Sequence, residues 1–310
     1  MTNREPSGAG DSRRLIIRGL SCNLTAVRSD LARNGVRPLT RTLPSVGQTA
    51  SRRDEVSPSV TVVPSWQSRL ARLCLFRTYD LFTDGVSVGE WLHVGPAEHS
   101  SYLAVPDGGT GAGVLVLHAW WGLTSVFTDV CDRLAMDGYV ALAPSLFPGG
   151  ATAATIAEAR ELLAMHDEAA VAEPVVPAAV ERLCGLPAVT GAQIGVIGFS
   201  MGAYWALHLS QARPDDVSTV VVVYGTDDGD YRSARATYLG HFAEQDDFEP
   251  LEAVRSLETK IREAGREVTF HVYPGTGHWF VEPNRPNVYN AAAAELVWER
   301  TLAFLKARLA

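Results

Sequence analysis

The segment Gly198-Phe199-Ser200-Met201-Gly202 sets a serine between two glycines, directly after the apolar run 194–199 and directly before the helix-spaced stretch MGAYWALHLSQ. A serine hydroxyl is a weak nucleophile until a base takes its proton, and that base needs an acid to orient it. Where a buried strand turns sharply into a helix, small flanking residues keep the turn clear of neighbouring backbone. The first amides of the helix then face any negative charge that develops there. The five-residue pattern is short enough to recur by chance. Its place at a strand-to-helix junction is what makes Ser200 a candidate nucleophile.

In a site of this kind the acid and then the histidine follow the serine, each just after a later strand. His93, His99, His118 and His166 precede Ser200, His208 lies two turns along the helix behind it, and His241 and His271 fall inside expected strands. His278, in YPGTGHWF, sits in a glycine-bearing loop after the last expected strand and is the candidate base. The acid is expected at Asp246, after TYLGHFAE, with its neighbour Asp247 the nearest alternative. Asp227, Asp228 and Asp230 form a further alternative, but they lack the wider ligand spacing of a calcium loop and read as a solvated turn. The backbone amides of Met201 and of Trp120, in LHAWWGL, are the expected oxyanion donors, and Trp121, Trp279 and Phe280 the expected apolar walls of a substrate pocket. No metal or organic cofactor is implied.

These residues need a scaffold that brings distant segments to one edge. EWLHV, SSYLAVP, GVLVLHA and YVALAP read as strands, as do QIGVIGFS, VSTVVVVYG, RATYLGHFAE and EVTFHVYPG. Helical spacing marks VFTDVCDRLAMDG, two stretches around 153–165 and 174–185, PLEAVRSLETKIREAG and the long closing helix NVYNAAAAELVWERTLAFLKARL. Pro174 and Pro177 are expected near the start of the second of those two stretches. The alternation predicts an α/β fold whose mostly parallel central sheet carries helices on both faces, with ligands at the carboxyl ends of the strands.

The chain of 310 residues divides by charge. Residues 1–77 carry 13 arginines, no lysine and 5 acids; the remainder carries 14 bases and 30 acids, and the formal total is −8. The first 80 or so residues, rich in Ser, Thr, Gly and Pro, read as a disordered Arg-rich extension or upstream sequence from a misplaced start. A basic arm that tethers nucleic acid would have to reside there; the acidic remainder argues against such a partner. No apolar run nears the ~18 residues of a membrane span. The four cysteines form no CxxC pair, which points to a reducing cytoplasm. A monomer or small homo-oligomer is expected.

From about residue 87 to the end, the chain resembles the dienelactone hydrolase family of α/β-hydrolases. The resemblance is carried by VLHAWWGLTSVFTDVCDRLAMDGYVALAPSLF, IGVIGFSMGA, YLGHFAEQDDFEP and YPGTGHWFVEPNRPNVYNAAAAELVWERTLAFL. It implies an α/β-hydrolase domain over 87–310, Asp246 rather than Asp247 as the acid, His278 as the base, and cleavage of a carboxylic ester or lactone through an acyl-enzyme. The founding enzymes use cysteine where this chain has Ser200, and glutamate where it has Ala119. They hold a substrate carboxylate with two arginines, where this chain has the Pro148-Gly149-Gly150 segment and Glu282, with Arg285 as the alternative cation. A glutamate would repel such a carboxylate. The expected substrate is therefore a small ester or lactone other than dienelactone itself. The alternative is a non-catalytic ligand-binding protein on the same scaffold.

Overall fold

The computed structural model describes residues 89–95, 99–165 and 168–309; the Arg-rich segment and His166 lie outside them. The strands are β1 (Gly89–His93), β2 (Ser100–Ala104), β3 (Gly111–Leu117), β4 (Val140–Pro144), β5 (Val189–Phe199), β6 (Val217–Val223), β7 (Thr237–Gln245) and β8 (Val268–Gly277). They form one sheet in the order β1-β2-β4-β3-β5-β6-β7-β8. β1–β2 and β2–β4 pair antiparallel; every other pair is parallel. The helices are α1 (Ser125–Met136), α2 (Ile156–Met165), α3 (Glu168–Cys184), α4 (Met201–Ala212), α5 (Leu251–Glu263) and α6 (Ala291–Arg308).

The sheet is covered on both faces, and β5 shows how. A side chain at Gly195 would meet Leu305 and Leu309 around the end of α6, whereas the adjacent Ile194 lies near Gly113 beside Leu183 of α3. Successive strand residues point to opposite faces, so α6 and α3 lie on opposite sides. On the α6 side, α1 adjoins it through the Arg133 guanidinium, 4.1 Å over the Trp298 ring. β6 reads as a run of valines because both of its faces are buried: Val220, Val221, Val222 and Val223 are at most 1% exposed. Burying each such side chain contributes about 1.5–3 kcal/mol. No helix among the described residues is long and apolar enough to cross a membrane.

Several element boundaries differ from the sequence expectation: β5 begins at Val189 and α2 at Ile156, β8 runs on to Gly277, and α3 and α6 start elsewhere for identifiable reasons. α3 begins at Glu168, so Pro174 and Pro177 lie inside it rather than near its start. Each proline removes a helical hydrogen bond. The helix persists because Val175, Val176, Ala179, Val180 and Leu183 are all at most 2% exposed, and burial of that face outweighs local propensity. α6 starts only at Ala291, where the Asn290 side chain accepts from the Ala293 amide at 3.0 Å and so satisfies a free N-terminal donor.

Candidate active site

At the carboxyl end of β5 the chain turns into α4 through Ser200, whose backbone sits at φ 50°, ψ −114°. A non-glycine residue at positive φ is strained and persists only when its surroundings over-determine it. Here the Ser200 amide donates to the Val223 carbonyl at 2.9 Å, and the Ser200 carbonyl accepts from Ala203 at 2.8 Å. The flanking glycines allow this. A Cβ on Gly198 would lie 2.2 Å from the Gly202 oxygen, and one on Gly202 would lie 2.1 Å from the Leu117 oxygen.

Strand register then sets two other residues side by side. β7 and β8 pair Ala243 with Tyr273, slip, and pair Gln245 with Gly277. The extra length in β8 is taken up at Gly275, at φ 68°, whose amide donates to Glu244 at 2.9 Å. Asp246 and His278 are the next residues on the two strands, so the last paired rung delivers both to the same edge.

The three side chains meet. Ser200 Oγ lies 2.9 Å from His278 Nε2, and His278 Nδ1 lies 2.7 Å from Asp246 Oδ2. The other carboxylate oxygen of Asp246 accepts from the Phe248 and Glu249 amides at 2.9 and 3.0 Å. The Asp246 and His278 side chains are 2% and 4% exposed. A carboxylate accepting at Nδ1 leaves Nε2 free to accept from a hydroxyl. Asp247 is exposed and takes no part. The further aspartates lie elsewhere: Asp227 accepts from Gln211 and Tyr231, Asp228 pairs with Lys260, and Asp230 with Arg232.

The amides of Met201 and Trp120 donate to no backbone carbonyl among the described residues. Trp120 follows a bridge between the β3 and β4 ends. The buried His118 accepts from the Leu146 amide at Nε2 (2.8 Å), and its Nδ1 lies 2.7 Å from the Ala119 oxygen. With Nε2 accepting, Nδ1 carries the proton and the ring is neutral. Burial pushes its pKa down to about 4.

Trp121 and Trp279 line a cavity of about 270 Å³ together with Ile156, Arg285, Pro286 and Val288. Trp279 stacks on Trp120 with centroids 5.8 Å apart and touches Trp121 at 5.0 Å. Phe280 departs from its expected place. It is fully buried against Tyr224 and Tyr273 and supports the site from beneath instead of lining the cavity. The loop after β4 is a tight turn over Pro148–Gly150, with Gly149 at φ 64° and no cation.

Tyr224, Phe248 and Glu249 escape sequence reasoning, and Glu282, expected beside a substrate carboxylate, is instead enclosed. The rings of Tyr224 and Phe248 each lie 4.9 Å from the His278 imidazole. Glu249 accepts from the Thr226 hydroxyl at 2.6 Å, and burial pushes its carboxyl up to about 7. Glu282 is fully buried and accepts from the Tyr224 hydroxyl at 2.8 Å; burial also pushes its carboxyl up to about 7. Tyr224 and Phe248 stand one and three residues past strand ends. That position at the carboxyl edge is the one available signal; the burial of the two glutamates has none.

Compared with known proteins, residues 100–309 match the model of the dienelactone hydrolase family. A protein of Aquifex pyrophilus called protein usf is 30% identical over 213 residues, covering 66% of this chain and 91% of that one. A protein of Aquifex aeolicus provisionally named carboxymethylenebutenolidase is 29% identical over 216 residues, covering 67% and 93%. Among solved structures, one from Klebsiella pneumoniae, provisionally named a dienelactone hydrolase, aligns with a TM-score of 0.63 at 21% identity. It covers 71% of this chain and 98% of that one.

Proposed function

The chain belongs to the dienelactone hydrolase family and is a hydrolase of ester or lactone bonds; we propose that it cleaves a carboxylic ester by acyl transfer through Ser200, His278 and Asp246. The observation that carries this reading is the unbroken relay from Ser200 Oγ through the imidazole to Asp246, at 2.9 and 2.7 Å. In the first half-reaction His278 Nε2 takes the hydroxyl proton as Ser200 Oγ attacks the carbonyl carbon. The oxyanion is held by the Met201 and Trp120 amides, the former at the N-terminus of α4 where the helix dipole favours negative charge. Collapse breaks the bond to the alcohol, which leaves with the proton from Nε2. Water then attacks the acyl-enzyme by the same route in reverse, and Asp246 stabilises the imidazolium each time it forms.

The lining of the 270 Å³ cavity is mainly apolar, and its one cation, Arg285, stacks on Trp121 and bonds to the Ala154 carbonyl. This favours an uncharged acyl or alcohol group. The test compares wild type with Ser200→Ala on a neutral short-chain p-nitrophenyl ester and on a counterpart whose acyl chain ends in a carboxylate. A fluorophosphonate probe is applied to both proteins. Wild type is expected to prefer the neutral ester, and Ser200→Ala to lose labelling and roughly ten-thousandfold or more of the turnover. Turnover retained in a folded Ser200→Ala protein refutes the acyl-enzyme. A preference for the charged ester refutes the assignment of the cavity.

A further inference from the structure

Glu282 is an acidic side chain with no access to solvent, in a loop that the reaction scheme above does not use. Burying an acidic group is costly unless specific partners compensate, and its partners come from its own loop and from the end of β6. Through its backbone it closes the turn that follows His278: its amide donates to the Trp279 carbonyl at 2.9 Å, and its carbonyl accepts from Arg285 at 3.0 Å. Through Oε1 it accepts from the Tyr224 hydroxyl at 2.8 Å. The Tyr224 ring is the one packed 4.9 Å from the His278 imidazole, on a backbone held at φ 40° just beyond β6. Through Oε2 it faces Arg285 Nε at 4.0 Å, and the Arg285 guanidinium lies 3.5 Å over the ring of Trp121. Trp121 adjoins Trp120, the residue whose amide is read as an oxyanion donor.

We propose that Glu282 is a positioning residue for ester cleavage: its hydrogen bond to Tyr224 pins that ring against the His278 imidazole, while its other oxygen faces the Arg285–Trp121 stack without bonding to it. The histidine loop and the end of β6 are thereby held in one arrangement. The inference rests on the reading of Ser200, His278 and Asp246 as the reacting triad. Glu282 acts through Tyr224 and touches no reacting atom. The groups that face its side chain are the Tyr224 hydroxyl from the end of β6 and the Arg285 guanidinium of its own loop, with Trp121 under that guanidinium. Burial raises the carboxyl, while Tyr224, Arg285 and Trp121 each favour the ionised form.

The experiment measures kcat and KM on the neutral p-nitrophenyl ester from pH 5 to 9 for the full-length wild type, Tyr224→Phe, Glu282→Gln and the double variant. Circular dichroism confirms that each is folded. Tyr224→Phe removes one hydroxyl and keeps the ring, so it tests the link even if Glu282→Gln fails to fold. Each single variant is expected to lower kcat about tenfold with KM changed by less than about twofold. The double variant should be no worse than the poorer single, because Tyr224→Phe removes the donor of the link and Glu282→Gln weakens its acceptor by removing the charge. The wild-type kcat profile should carry an ionisation that Glu282→Gln lacks, a readout that a purely structural role would leave unmoved. A folded Tyr224→Phe enzyme with wild-type kcat overturns the proposal, as do losses that multiply in the double variant. Turnover persisting in Ser200→Ala would instead remove the triad reading, whatever the Glu282 variants do.

Discussion

Asp246 and Asp247 are identical in chemistry and adjacent in the chain, yet only one of them reaches the imidazole. Asp246 has its side chain 2% exposed, one oxygen on His278 and the other on two backbone amides. Those amides fix the direction of the carboxylate, so it can keep the proton on Nδ1 and stabilise a charged imidazole. Asp247 points into solvent. Asp246→Asn is therefore expected to cut kcat on the order of 10³–10⁴-fold, with Asp247→Asn within a few-fold of wild type. Steady-state kinetics of the two variants decide it; a larger loss from Asp247→Asn would reassign the acid.

Secondary structure does the positioning that side chains cannot. The last rung between β7 and β8 joins Gln245 to Gly277, which makes Asp246 and His278 neighbours although 32 positions separate them in sequence. The β5–α4 junction depends on close backbone approach instead. Any side chain at Gly202 would have to push the β3 carbonyl of Leu117 away, since its Cβ would lie 2.1 Å from that oxygen. Gly202→Ala is expected to destabilise the protein by about 1–3 kcal/mol or more and to displace Ser200. That corresponds to a fall in Tm of roughly 3–10 °C. Gly108, whose Cβ would meet nothing within 4 Å, provides the control. A Gly202→Ala protein as stable and active as Gly108→Ala would show that the approach at the elbow is not a constraint.

Among the described residues, four titratable groups oppose one another, three of them buried and Glu249 partly buried. Burial lowers His118 to about 4 and His241 to about 3, while it raises Glu249 and Glu282 to about 7. The histidines are kept neutral, so their contribution to stability is complete above their unfolded value of 6.5 and is lost as pH falls below it. The carboxyls hold protons that the unfolded chain, with a value near 4.5, would release; their contribution is present at low pH and is lost as pH rises through about 7. Between about 4.5 and 6.5 the two effects offset. Replacing Glu249 with Gln, which mimics the neutral form, removes one opposing group. The stability of Glu249→Gln relative to wild type should thus rise with pH between about 4.5 and 7, by on the order of 3 kcal/mol in total. Melting temperatures of both proteins at pH 5 and pH 8 measure this, and a pH-independent difference would contradict it.

The sequence alone determined the α/β architecture, the junction at Ser200 and the order of serine, acid and histidine, because these depend on short-range signals. Hydrophobic period, glycine placement and chain order are all visible locally. Chain position and resemblance already pointed to Asp246; what only the tertiary structure supplied is the register slip between β7 and β8 that brings it beside the imidazole. Tertiary structure also decided that Phe280 supports the site from below, that α3 runs through two prolines, and that Glu282 is enclosed against Tyr224. Each of these turns on burial between segments far apart in the chain. The cost of burying a carboxylate or of keeping a proline in a helix is set by what packs around it, and no local pattern records that.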